Sequence, residues 1–138
     1  MAQIIVVTLE KELSAAIAGY AKAGSGKALA RESDRLDYVA RRRGVSPLTS
    51  LLSESQAVLA AQLREEGFDP SKMRLAPELW FPAADGLKTV RTLAEYVTAN
   101  MNDFKQPNPI LRDLKAVEAL LITADAANIR FHFSKTVT

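Results

Sequence analysis

The sequence predicts an α+β fold: a compact, helix-rich single domain with a small sheet formed by the N- and C-terminal strands. Three observations carry this. Apolar residues recur at helical spacing through Leu87, Val90, Leu93, Ala94, Val97 and Met101, and again through Ile110, Leu114, Val117, Leu121 and Ala124. The β-branched, apolar run from Gln3 to Leu9 suits a buried strand. Residues 129–134 alternate apolar and polar side chains, the pattern of a half-buried strand. A two-stranded sheet is marginal alone, so the helices are expected to cover one face of it.

In chain order, the first strand is followed by residues 10–24, where two readings stay open. Leu13, Ala16, Ile17 and Tyr20 have helical spacing, but Gly19, Gly24 and Gly26 punctuate the stretch. It reads as a short helix or a flexible excursion. Ser25 is placed to cap a helix that runs to about Arg43, with Leu29, Leu36, Val39 and Ala40 on one face. Asp37 and Arg41 are spaced for an ion pair along it. Gly44 stands where a left-handed C-terminal cap is wanted. Ser53 or Ser55 opens the next helix, which has a narrower apolar face of Val58, Leu59, Gln62 and Leu63 and ends at Gly67. Residues 68–77 hold two prolines and read as a loop. Pro82 or Asp85 starts the helix through Met101. Asn108 as cap and Pro109 at the first helical position announce the last helix, which should end near Asn128.

The chain of 138 residues fits one domain, 1–138, large enough to bury a core without a staple. It has no cysteine, which excludes disulfides, a thiolate nucleophile and thiolate metal sites, and leans towards a reducing compartment. The apolar run from Ile4 to Val7 is too short for a signal-peptide core or a membrane span. A cytoplasmic protein without a membrane partner is therefore expected. The net charge is +2, and only Arg41-Arg42-Arg43 approaches the basic stripe of a nucleic-acid binder. No basic–aromatic interleaving is visible along the chain, so a nucleic-acid partner is not expected.

The motifs that could carry chemistry read more simply as structure. Ala23-Gly24-Ser25-Gly26-Lys27 resembles part of a P-loop. However, Ala21 and Ala28 stand where that pattern needs glycine and a hydroxyl residue. His132, the one histidine, reads as a side chain on the polar face of a strand; any Ser-His-Asp triad would have to use it. Asp34 and Asp37 share a helix face, but two carboxylates are few for magnesium chemistry, and nearby Arg31, Arg35 and Arg41 suggest a solvated ion-paired face. No catalytic residue, metal site or cofactor is expected. Trp80-Phe81, followed by Pro82, is the one adjacent pair of large aromatics. It reads first as core packing at a helix entry and second as a binding surface, since tryptophan anchors many interfaces.

Leu36-Asp37-x-Val39-Ala40 running into Gly44-Val45-x-Pro47-Leu48, together with Trp80-Phe81-x4-Gly86-Leu87-x-Thr89-Val90-x-Thr92-Leu93, resembles a pattern in a group of small bacterial proteins of unknown function. The resemblance covers most of the chain beyond residue 26. Its motifs are packing positions, so it implies a shared fold and a bacterial source, and nothing catalytic.

The expectation is thus a protein-binding module, of the immunity or inhibitor kind, acting on a protein partner. The candidate contact residues are Trp80, Phe81, Asp85 and Lys88; self-association stays open. The competing expectation is a small metal-dependent nucleotide-processing enzyme or nucleotide-responsive domain using Lys27, Asp34, Asp37 and the arginines.

Overall fold

A computed structural model describes residues 3–11 and 25–137. Strand β1 (Gln3–Leu9) is followed by helices α1 (Lys27–Arg31), α2 (Ser33–Arg43), α3 (Gln56–Glu65), α4 (Ala83–Ala99) and α5 (Pro107–Ala126), then strand β2 (Phe131–Val137). Short 3-10 turns lie at Leu48–Leu51, Pro70–Lys72 and Met101–Asp103. The fold is α+β. The undecided stretch 10–24 lies largely outside the described residues.

The two strands pair antiparallel, with Leu9 opposite Phe131, Thr8 opposite His132 and Val6 opposite Ser134. Phe131, Phe133 and Ile5 are buried, and helices α1, α4 and α5 supply most of the core beside them: Leu29, Val90, Leu93, Ile110, Leu114, Val117 and Leu121. Glu10 and Arg130 clasp the end of the sheet with an ion pair, and the Glu10 N–H also donates to the Arg130 carbonyl at 2.9 Å. The Arg130 guanidinium, hydrogen-bonded to Glu10, holds that carboxyl below the usual glutamate range.

Gly26 is in the left-handed region at φ 80°. Its carbonyl accepts from Ile5 N–H at 3.1 Å, and a side chain there would run into the Ile5 carbonyl oxygen. The helix expected from Ser25 to Arg43 is two helices that meet at Glu32. The turn lets α1 bury three consecutive residues, Ala28, Leu29 and Ala30, while α2 buries its own face through Leu36, Val39 and Ala40. Gly44 is the left-handed cap expected, at φ 75°.

Asp37 does not pair with Arg41. It is buried, and its carboxylate accepts from the N–H and hydroxyl of Thr49, holding the turn after Pro47. Thr89, also buried, donates to the Ser46 carbonyl at 2.7 Å. Gly86 lies flat against Phe131 and Leu121, leaving no room for a Cβ. The Thr89–Ser46 bond ties α4 to the connector that follows α2.

Two boundaries move. Helix α5 starts at Pro107, with Gln106 as its cap, rather than at Pro109. Both prolines fit because the first-turn N–H groups have no helical partner in any case. Helix α4 stops at Ala99, and Met101 falls in the following turn, 39 % exposed, rather than on the core face. Among the described residues, no helix is long and apolar enough to cross a membrane.

Candidate functional site

Alternation along β2 sends Phe131 and Phe133 into the core and His132, Ser134 and Thr136 to the opposite face, where Thr8 joins them from β1. That outer face is closed at His132, half-covered at Ser134 and Thr8, and exposed at Thr136. Helix α3 stands over it, capped by Ser55, whose hydroxyl accepts from Val58 N–H at 3.2 Å. A cavity of about 220 Å³ separates helix and sheet, lined in part by Thr8, Val58, Gln62, Glu78, His132 and Ser134.

His132 is where the structure departs from the sequence reading. It does lie on the polar side of the alternation, but it is 1 % exposed. The indole of Trp80 covers it, with ring centroids 4.5 Å apart. Its Nε2 is 2.8 Å from a Glu78 carboxylate oxygen, and its Nδ1 is 3.3 Å from the Ser134 hydroxyl, which also meets Thr8 Oγ1 at 2.8 Å. A carboxylate accepts only, so Nε2 carries a proton; Nδ1 also lies 3.2 Å from the Phe133 carbonyl oxygen. The residues form a Glu–His–Ser chain without a nucleophile's setting. Register commits the Ser134 N–H and carbonyl to Val6 across the ladder, and the serine sits mid-strand rather than on a strained turn. The arrangement satisfies buried polar groups on a covered sheet face.

Beside this cavity the outer edge of β2 is only partly closed. Phe81 bridges Phe131 through two backbone hydrogen bonds, of 2.8 and 2.9 Å. Ser53 N–H donates to the Phe133 carbonyl at 2.9 Å. The same alternation points the Lys135 N–H and carbonyl to this edge, where the described residues offer them no backbone partner. An apolar groove of about 330 Å³ opens at that point. Leu52, Leu59, Ala76, Pro77 and Leu79 form its walls, and Lys135 and Glu54 are its charged members. Ser53 fixes one wall by accepting from Leu79 N–H at 2.7 Å. Helix α3 buries none of its residues: of the apolar face expected there, Leu59 lines this groove and Val58, 45 % exposed, the cavity beside it, while Leu79 in the groove is 51 % exposed.

The residues expected from sequence fall as follows. Trp80 and Phe81 are each partly buried and diverge: Trp80 lies over His132, whereas Phe81 packs on Phe131 with centroids 6.4 Å apart. Asp85 and Lys88 are exposed in the first turns of α4. The groove itself was not anticipated. Its one sequence signal was Leu79, a large apolar residue beside two aromatics and followed, after Pro82, by a helix that already has its own apolar face.

The P-loop-like stretch closes on itself. The Asp113 carboxylate, from α5, accepts from Ala28 N–H at 3.1 Å, and Ser25 Oγ accepts from Lys27 N–H at 3.3 Å. Among the described residues of that stretch, the Lys27 and Ala28 amides are thus occupied by the protein's own oxygens. The carboxylates expected to share a face also separate, Asp37 buried on Thr49 and Asp34 exposed. Among the described residues, no group of three or more His, Asp or Glu side chains is gathered to hold a metal. Comparison with protein families, with curated proteins and with solved structures finds no match for this chain.

Proposed function

We propose that this chain is a protein-binding module that receives an extended, apolar segment of a partner protein along the open edge of β2. The observation that supports it is the Lys135 backbone: its N–H and carbonyl point to an edge with no partner among the described residues, beside an apolar groove. Strand addition of this kind takes affinity from main-chain hydrogen bonds and specificity from pockets for alternate side chains. Leu52, Leu59, Pro77 and Leu79 offer such a pocket. Lys135 disfavours the same edge of a second copy, because pairing centred there sets like charges opposite one another. It favours a segment with an acidic residue. Holding a segment of another protein in this way is what the immunity or inhibitor role expected from sequence requires.

The test is selection of displayed peptides on the purified chain. Selected peptides should alternate apolar residues and carry an acidic one. Leu79→Asp, at an exposed position, should leave the fold intact and abolish their binding. The Lys135 amide should exchange quickly in the free chain and slowly in the complex. Peptides that bind Leu79→Asp as well as the parent, or leave Lys135 exchange unchanged, would remove this reading.

A further inference from the structure

We infer a second, independent binding surface at the C-terminal end of α2, built to hold a phosphate-bearing nucleobase. The sequence shows no interleaving of basic and aromatic residues, but the fold creates it. Arg42 lies over the Tyr38 ring, 5.6 Å from its centroid, and donates to the Tyr38 hydroxyl at 2.9 Å. Arg43 lies over Tyr96 of α4 at 5.5 Å, and Arg35 over Phe104 at 5.6 Å. Tyr38, Arg42, Arg43 and Tyr96 line one polar concavity of about 560 Å³.

Two further facts favour an anionic, flat ligand. Among the described residues, Arg41, Arg42 and Arg43 have no carboxylate within ion-pair reach; the arginine ion pairs formed elsewhere are those of Arg31, Arg91 and Arg130. Asp103 accepts from the Tyr96 hydroxyl at 3.1 Å and is the acid beside this concavity, while Asp37 is buried and Asp34 lies at the other end of the helix. Basic residues in a last turn complement the helix dipole, but that role needs no aromatic partners. Contact with the tyrosines, at 5.5 and 5.6 Å from the ring centroids, holds the guanidiniums in place and leaves N–H donors for phosphate oxygens. Tyr38 remains 57 % exposed beside this concavity. Base–aromatic stacking beside a cationic track is the chemistry by which single strands and nucleotides are held without sequence preference.

The test is fluorescence polarisation with a labelled oligodeoxythymidylate of roughly twelve nucleotides, within the usual single-strand site size, in low salt. Circular dichroism checks each variant's fold. The parent should bind. Tyr38→Leu should weaken binding about ten-fold, as loss of one stacked base does. Arg43→Ala should weaken it and lower the slope of log affinity against log salt by about one. Competition by AMP as strong as that of the unlabelled oligomer identifies a mononucleotide ligand; competition by oligomers alone identifies a single strand. Absence of binding by either overturns the inference. So does a Tyr38→Leu variant that binds like the parent while heparin displaces the probe, which would reduce the surface to plain charge.

Discussion

The Asp113 carboxylate reaches across the core to accept the Ala28 N–H at 3.1 Å, although 85 positions separate the two residues. Helix α1 is only five residues long and has no side-chain cap of its own at Gly26. A short helix of that kind is not stable alone. Its first turn is held by an acid supplied from α5, and negative charge there also suits the helix dipole. Asp113→Ala should therefore cost about 1–3 kcal/mol, the usual penalty for orphaning a buried donor. Asp113→Asn, which keeps an acceptor oxygen, should cost less. Urea unfolding of the two variants measures the difference, and equal losses would show that the hydrogen bond is not what matters.

Leu114 and Val117 sit on the most regular apolar face of the chain, and both are essentially inaccessible to solvent. Leu114→Ala should lower stability by about 2–5 kcal/mol. Its exposed neighbour Lys115 is the control, since its replacement by alanine should stay within about 0.5 kcal/mol. Denaturant melts of both decide whether α5 is turned as described.

Gly86 is a helical glycine with an ordinary backbone, kept small by what it touches. A Cβ there would come within 2.5 Å of the Phe131 ring and 2.7 Å of a Leu121 methyl. Alanine normally favours a helix over glycine by about 1 kcal/mol. Overpacking typically costs about 1–3 kcal/mol. Gly86→Ala should therefore destabilise the chain despite its better propensity. A rise in melting temperature would mean that α4 and β2 stand further apart.

The Glu10–Arg130 clasp gives an acid-side prediction. Hydrogen bonding from Arg130 lowers the Glu10 pKa in the folded chain. A depressed carboxyl contributes stability that is complete above its unfolded value and is lost as pH falls through the folded one. In Arg130→Ala, Glu10 should titrate in the usual glutamate range, and its share of the acid-induced loss should disappear. Carboxyl carbon shifts followed by NMR would check this; an unmoved Glu10 titration would assign the depression to another group.

Much of the fold was legible in the sequence because it is written in local periodicity. The apolar rows of α4 and α5, the alternation of β2 and the Gly44 cap each depend on neighbours within a few positions. What was not legible depends on partners far along the chain. Nothing near Gly26 reveals that the Ile5 carbonyl will sit against it, nor that Asp113 will cap the following turn. The alternation sets His132 on the correct side of its strand, but the contacts that cover it come from Trp80 and Glu78, which no strand pattern encodes. The contact of Arg43 with the Tyr96 ring joins separate helices, so a linear search for alternating basic and aromatic residues passes over it. The groove shares this origin: Leu52, Leu59, Leu79 and Lys135 come from four separate segments.

The pairing of Thr8 with Ser134, whose hydroxyls meet across a separation of 126 positions, also orders events in time. During synthesis β1 emerges before β2 and can pair with it only once the helices between them have been made. Helices α4 and α5 adjoin in sequence and can dock on each other before then. Contacts of such long range are slow to close, because loop entropy must be overcome before they contribute. The sheet therefore closes after the helices between its strands, with nascent β1 waiting for β2.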